Sequence, residues 1–333
     1  MKRIPASGSE KGTRFTVGDF YEAGRGRLSL VLFAGERNLG LEVTEPIVNR
    51  PGLALTGFFR HFAWRRLQLI GQAEMAYLRS LGQKERLARF RSILDRKARF
   101  FVFTAGSKPL PEEGALADAA GAVIFTTKLK TRQFANLSTF LLERLGAPTT
   151  TMYGTMIEVA GLGVFIEGDS GLGKSETALG LIKRGHALIA DDLTCIRRDV
   201  GNDVLYASAS ESTVGYMEIR GIGIMHVPRI FGVTSVRGEK RLQLVITFRR
   251  LEDVCAEIDR IGQERHRRRI LGVDVPNVVI PVSEGRDLVN LVETAAMQQK
   301  LLQTGFDPAA ELSRRLRRRA DGFKRKKRGR NNG

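Results

Sequence analysis

Residues 162–192, LGVFIEGDSGLGKSETALGLIKRGHALIADD, constrain the fold of this chain more than any other stretch. Leu162 to Ile166 is a short apolar run suited to a buried strand. It leads into Gly168-Asp169-Ser170-Gly171-Leu172-Gly173-Lys174-Ser175. Residues 176–184 then place apolar side chains at helical spacing, and Gly185 closes the helix. The order is strand, loop, helix, and the loop fits G-x-x-x-x-G-K-[ST]. In such a loop glycines let backbone N–H groups turn toward a phosphate chain, Lys174 reaches the β/γ-phosphates, and the Ser175 hydroxyl binds Mg²⁺. A match of this kind also arises by chance as a plain glycine turn. Its position between a strand pattern and an amphipathic helix supplies the surroundings that phosphate binding needs.

The other half of a nucleotide site follows at once. Ala187-Leu188-Ile189-Ala190 suits a buried parallel strand and delivers Asp191 and Asp192 at its C-terminal end. Ligands bind at that edge of α/β sheets. One carboxylate can hold Mg²⁺ or its water while the other accepts a proton from an attacking hydroxyl, so adjacent acids beside a phosphate loop suit phosphoryl transfer.

The 333 residues suffice for two domains of ordinary size, and a hydrophobic content of 42% with 27% charged residues is that of a globular protein. No apolar run reaches the roughly 18–20 residues of a membrane span, and the polar start MKRIPASGSEKGTR lacks the apolar stretch of a signal peptide, so a cytoplasmic location is expected. Cys195 and Cys255 offer no disulfide framework, and the four histidines are scattered. The net charge of +18 is concentrated at one end: Arg314–Arg330 holds eleven Lys or Arg and one acid, Asp321, and without it the charge is +8. Residues 312–333 are therefore expected to form a basic, disordered tail, or at most a frayed extension of the preceding helix.

Taken in order, residues 1–14 are expected to be disordered, and Phe15–Tyr21 and Leu28–Phe33 carry apolar clusters of mixed pattern. Two helices broken near Gly82 are predicted between Gln68 and Arg96. Strands are predicted at Phe101–Thr104 and Ala122–Thr126, and a helix at Phe134–Leu145. These make a small α/β domain over 1–146, with Phe58, Phe59 and Trp64 assigned to its core. Residues 147–151, APTTT, read as a linker, and 152–311 as the catalytic domain. Within it Ile219–Phe231, IRGIGIMHVPRIF, sets Arg220 between Glu218 and Gly221, a guanidinium and a carboxylate on backbone that can approach phosphate closely. Strands are predicted at Leu242–Phe248 and Val278–Val282, and a helix from Leu288 to about Gln303. Arg260 and Arg286 each precede or lie in a turn.

At these residues the sequence resembles the bacterial HPr kinase/phosphorylase family, through RPGLALTGFF, GDSGLGKSETALGLIKRGHALIADD and MEIRGIGIMHVPRIFG. The resemblance implies an N-terminal domain, a C-terminal P-loop kinase domain related to phosphoenolpyruvate carboxykinase, and a homohexamer. It also implies ATP- and Mg²⁺-dependent phosphorylation of a serine on the phosphocarrier HPr, and phosphorolysis of the phosphoserine by inorganic phosphate to give pyrophosphate. By the same resemblance Gly168–Ser175 is the ATP loop, with Lys174 catalytic and Ser175 on Mg²⁺. Asp192 is the proton acceptor of the forward reaction, with Asp191 beside it. Glu218 is the second Mg²⁺ ligand and Arg260 a catalytic arginine. Met217, Glu218, Ile219, Arg220, Gly221, Ile222, Gly223, Ile224, Met225 and His226 match the stretch needed for both reactions. Pro281, Val282, Ser283, Glu284, Gly285 and Arg286 match the loop important for dephosphorylation.

Three departures bear on the reverse reaction. The family commonly has a catalytic histidine where this chain has Tyr153, and a phenol with a reference pKa of about 10 cannot shuttle protons at neutral pH as imidazole does. Asn277 stands where a lysine is common, and Ser283-Glu284 where a basic residue and proline are common, which thins positive charge where phosphate should bind. Two other readings remain open on the residues alone: a P-loop kinase of a small molecule or another protein, and a nucleotide-gated nucleic-acid binder using the basic tail. No membrane partner is expected.

Overall fold

The computed structural model of the chain describes residues 14–253 and 266–316. It divides into two compact units between Ala147 and Pro148. Mixed α/β architecture is present in both.

The first unit is built on one sheet of five strands, β1 (Val31–Ala34), β2 (Val48–Asn49), β3 (Leu67–Ile70), β4 (Phe100–Phe103) and β5 (Val123–Thr126), in the order β1-β5-β4-β3-β2. β2 to β5 run parallel and β1 is antiparallel to β5. Helices cover both faces, so the inner strands are apolar without alternation, as FFVF in β4 shows. Phe20, Phe134 and Leu142 pack on one face against Leu69, Phe100 and Phe125. On the other, Met75, Leu78, Phe90 and Ile93 pack against Ile70, Phe101 and Phe103. Arg86 and Glu113 form a buried two-pronged pair at 2.8 Å on both arms, joining the helix Gln83–Asp95 to the helix Pro111–Ala120.

Two expectations for this unit are corrected. The segment from Gln68 begins as strand β3, and the helices start only at Gln72 and Gln83. Gln68 is fully buried, and its amide donates to the carbonyls of Ala63 and Arg66 at 2.8 Å, which a position on an exposed helix face would not require. Phe58 is 54% exposed and is not core, whereas Phe59 and Trp64 pack against the second cluster.

The second unit contributes β6 (Thr149–Tyr153), β7 (Thr155–Val159), β8 (Leu162–Gly168), β9 (Ala187–Ala190), β10 (Leu193–Asp199), β11 (Val204–Ser208), β12 (Tyr216–Ile219), β13 (Gly223–His226), β14 (Glu239–Arg241), β15 (Leu244–Arg250), β16 (His266–Ile270) and β17 (Val273–Val282). Six of them form a sheet in the order β16-β17-β15-β8-β7-β9, and β14-β11-β10-β6 form a second. β12 and β13 make a separate hairpin. One face of the large sheet is covered by the helices Lys174–Lys183 and Leu288–Gln303, through Ala178, Leu181, Val292 and Ala296. The other face packs on the second sheet, where Phe165 and Val245 meet Ile196, Leu205 and Ala207.

Here too the structure amends the sequence reading. Residues 149–151, assigned to a linker, lie in β6 and pair with Cys195, Ile196 and Arg197 of β10, a role that suits β-branched threonines at alternating exposure. β9 is hydrogen-bonded antiparallel to β7, not parallel to a neighbour within the sheet. Because β7 is also antiparallel to β8, β9 nevertheless points the same way as β8, and as β15 and β17. The C-terminal ends of all four strands therefore emerge at one edge. At the far end, beyond a break at residues 304–307, a separate helical run spans 308–316, with Glu311 paired to Arg314 and Arg315 at 3.1 and 2.9 Å, so residues 312–316 of the expected disordered tail are helical. The remainder of the tail, residues 1–13, Cys255 and Arg260 lie outside the described residues. Among the described residues no helix is long and apolar enough to cross a membrane.

Candidate active site

That shared edge gathers the Gly168–Ser175 loop and the Asp191-Asp192 pair. β8 ends at Gly168, whose φ is +146° and whose missing Cβ would stand 2.6 Å from the Phe248 carbonyl oxygen, so only glycine lets the chain leave β8 against β15. Asp169, Ser170 and Gly171 are exposed, Leu172 is buried in the helix-side core, and Gly173, at φ +80°, starts the helix at Lys174. Lys174 Nζ donates to the carbonyl oxygens of Gly168 (2.8 Å) and Asp169 (2.9 Å), which folds the side chain back across its own loop. An ammonium in this position, with the helix N-terminus behind it, suits a phosphate chain lying in the loop. Arg220, from the β12–β13 turn, donates to Ser170 Oγ at 2.8 Å and adds a second cation to the rim.

Asp191 and Asp192 follow β9 in different environments. Asp191 is buried, and its Oδ1 accepts from Thr155 Oγ1 (2.7 Å) and Ser175 Oγ (3.1 Å). Its Oδ2 accepts from the Glu218 backbone N–H (3.3 Å), and the Asp192 backbone N–H also donates to this carboxylate. Burial pushes the Asp191 carboxyl above its ordinary value, and these hydrogen bonds hold back the rise. Thr155 escaped the sequence reading; the available signal was a hydroxyl opening the strand TMIEV directly after Gly154.

Asp192 is exposed at φ +63°, and among the described residues its carboxylate has no hydrogen-bond partner. The Leu193 N–H donates to the Asp191 carbonyl oxygen at 2.8 Å, closing a three-residue turn around Asp192. A turn of this size with a positive-φ centre is rare and strained, and such strain concentrates at sites of function. Tyr153 ends β6 directly opposite Leu193, is 77% exposed, and is followed by Gly154, whose N–H donates to the Asp192 carbonyl oxygen at 2.9 Å. β6 thus brings the phenol to the flank of the Asp192 turn.

Met217 and Ile219 are buried while Glu218 between them is exposed, which leaves its carboxylate free to face a ligand beside Asp191. Ile222, Gly223 and Ile224 are exposed at the hairpin end with Gly221. Met225 packs against the core, and the His226 ring meets Tyr216 edge-on at 4.9 Å. Pro281 and Val282 end β17, and Ser283, Glu284, Gly285 and Arg286 form an exposed turn in which Arg286 Nη1 donates to the Pro281 carbonyl oxygen at 3.0 Å. The turn leads into Leu288, which lies against Gly173 of the phosphate loop. Asn277 sits on β17 with its Oδ1 3.0 Å from Thr247 Oγ1, which is also 2.9 Å from Glu167 Oε1.

One consequence concerns Asp191→Asn. The amide can turn its N–H₂ toward the hydroxyl oxygens of Thr155 and Ser175 and its oxygen toward the backbone N–H groups, so no bond need be lost while the buried charge disappears. Because the folded carboxyl titrates above its unfolded value, the fold disfavours the ionised form. That penalty is absent below the ordinary value of 3.8, grows as pH rises from there to the folded value, and is complete above it. The variant is expected to melt higher than the wild type at pH 7. The gain should vanish when the melts are repeated below the ordinary carboxyl range.

Comparison with known proteins places the chain in a family. Residues 15–142 match the family model described as HPr Serine kinase N terminus, and residues 144–316 match HPr Serine kinase C-terminal domain. The HPr kinase/phosphorylase of Leptospira biflexa is 42% identical over 294 residues, 87% of this chain and 90% of its own. That of Treponema pallidum is 37% identical over 289 residues, again 87% of this chain and 90% of its own. The solved Hpr(Ser) kinase/phosphatase of Coxiella burnetii is 32% identical, with a TM-score of 0.45 over 49% of this chain and 98% of that one. Matched by both family models and by relatives along nearly its whole length, the chain belongs to the HPr serine kinase family.

Proposed function

We propose that the chain is an ATP- and Mg²⁺-dependent protein-serine kinase that phosphorylates HPr, and that the same site runs phosphorolysis of seryl-phosphorylated HPr to give pyrophosphate. The observation that carries this reading is the pairing of a buried, hydrogen-bonded Asp191 that holds Ser175 with an exposed Asp192, without a hydrogen-bond partner among the described residues, at the end of the same strand. The residues fit the nucleotide and its metal: the Gly168–Ser175 loop with Lys174 for the phosphates, and Ser175 and Glu218 as oxygen ligands for Mg²⁺, whose other positions phosphate oxygens and water would fill. Bound Mg²⁺ offsets charge on the transferred group and orients it.

In the forward direction Asp192 takes the proton from the serine hydroxyl as its oxygen bonds to the γ-phosphorus and the bond to the β-phosphate oxygen breaks. Lys174 and Arg220 face the charge on the phosphate oxygens, and Arg260 is assigned to the same task from its place in the sequence. In reverse, a phosphate oxygen bonds to the phosphoserine phosphorus, the bond to the serine oxygen breaks, and Asp192 returns the proton to that oxygen. The turn Pro281–Arg286 is assigned to the incoming phosphate. We place this machinery within residues 152–311 of a P-loop domain related to phosphoenolpyruvate carboxykinase, in a cytoplasmic homohexamer.

Incubating the chain with labelled ATP and HPr, and then adding inorganic phosphate, tests both directions. Label on HPr that phosphate removes as pyrophosphate is the expected result. Turnover stimulated by a metabolite and not by HPr would replace the protein substrate with a small one. Tyr153 makes the comparison quantitative: with a phenol beside Asp192 and Asn277, Ser283 and Glu284 thinning the positive charge, phosphorolysis is expected to be weak relative to kinase activity. Tyr153→His should raise the phosphate-dependent rate relative to the kinase rate, with a gain that follows imidazole titration at about pH 6–7. Vigorous wild-type phosphorolysis that Tyr153→His leaves unchanged would show that the phenol or another group already fills the role.

A further inference from the structure

The helix that begins at Lys174 ends in a set of polar contacts that the phosphoryl-transfer chemistry does not use. Arg184, one residue past its end, donates through Nη1 to Asn290 Oδ1 (2.6 Å) and Glu293 Oε2 (2.7 Å), and its Nη2 lies 4.0 Å from Asp287. Asn290 in turn donates its side-chain N–H to Asp287, and its backbone N–H donates to Asp287 Oδ1 at 3.0 Å. Asp287 thereby caps the helix Leu288–Gln303 and directly follows Arg286. Glu293 is held a second time, by His186. The Ala160 N–H donates to His186 Nδ1 (3.3 Å), which leaves Nε2 to carry the ring proton toward Glu293 Oε1 at 3.1 Å. Arg184 first, and His186 after it, draw the Glu293 carboxyl below its ordinary range. The two helices also touch tightly: a Cβ on Gly180 would stand 2.5 Å from Val289.

We propose that Arg184 is a positioning residue for the phosphate-dependent reaction. Through Asn290 and Asp287 it fixes the start of the second helix on the flank of the first, and so sets where the Ser283–Arg286 turn stands relative to the nucleotide loop. One nitrogen, Nη1, holds both acceptors through its two hydrogens, and the planar group keeps Nη2 on the Asp287 side. Movement of this turn would alter how phosphate is met there, while Lys174, Ser175 and Asp191 keep their own contacts. The inference rests on the assignment of the turn to phosphate made above.

Steady-state kinetics in both directions, with a thermal melt for each variant, test it. Arg184→Ala should raise the KM for phosphate roughly tenfold, the scale of one lost charge-assisted hydrogen bond. The forward kcat and the KM for ATP should stay within about threefold. Lys300→Met is the control. It removes a 2.7 Å bond to the Ala160 carbonyl from the far half of the same helix and should leave the phosphate KM unchanged. Arg184→Lys keeps a charge for Glu293 but its shorter side chain gives up the reach to Asn290, so it should recover the melting temperature without recovering the phosphate KM. Parallel loss of both reactions in Arg184→Ala, the same split in Lys300→Met, or full recovery of the phosphate KM in Arg184→Lys would overturn the proposal. A wild type that transfers phosphate from ATP to HPr but never responds to inorganic phosphate would sink the assignment of the turn, and this inference with it. A wild type inert toward HPr would instead remove the kinase reading.

Discussion

Lys174→Ala is expected to abolish measurable phosphoryl transfer while leaving the fold intact. The ammonium is held 2.8 and 2.9 Å from two carbonyls of its own loop, a position that suits a phosphate chain lying there. Deleting one such charge-stabilising donor commonly costs roughly 10²–10³ in turnover. The core has little stake in the side chain: Lys174 is the first residue of its helix, alanine is the better helix former there, and the apolar contacts of that helix come from Ala178, Leu181 and Ile182. A melting temperature near that of the wild type beside lost transfer of label from ATP would fit. Retention of more than about a tenth of the activity would count against the assignment, since even the lower bound of that range is a hundredfold.

Asp192→Asn should lower transfer by roughly 10²–10⁴, the usual contribution of general base catalysis, with nucleotide still bound. The substitution isolates basicity from shape. Asparagine tolerates a left-handed backbone about as well as aspartate does, so the turn at φ +63° can persist. The two acids are not interchangeable in this structure. Asp191 has four donors on its carboxylate and is buried, whereas Asp192 is exposed and has no hydrogen-bond partner among the described residues. A nucleotide-binding titration beside single-turnover transfer separates the two roles. Unchanged turnover would pass the role of base to Asp191 despite its burial.

Much of the site was legible because its chemistry is written in contiguous residues. The phosphate loop needs glycines, a lysine and a hydroxyl within eight positions, and these sit between an apolar run and a helical pattern whatever the rest of the chain does. The strand Leu162–Gly168 and the helix Lys174–Lys183 fall where that pattern predicts them. Local pattern failed where the deciding partner was distant. The threonines at 149–151 read as a linker because strand β10, which pairs with them, lies more than forty residues on. Gln68–Ile70 reads as the start of a helix because burial on both faces erases the alternation that marks a strand.

By itself, then, the sequence determined which groups are present for phosphate chemistry and in what order, since loop, helix start and acid pair are each local. Only the tertiary structure decided how they divide the work. Asp191 and Asp192 are indistinguishable as neighbours in a chain. They differ because the first is enclosed by Thr155, Ser175 and the Glu218 backbone while the second is turned outward by a strained turn. Likewise Tyr153 is brought to the Asp192 turn, Arg220 to the Gly168–Ser175 loop, and the Asn290–Asp287 pair to Arg184 at the end of its helix, by pairings across tens to a hundred residues. Such pairings depend on which strand ends share a sheet edge, and no local pattern of residues specifies that.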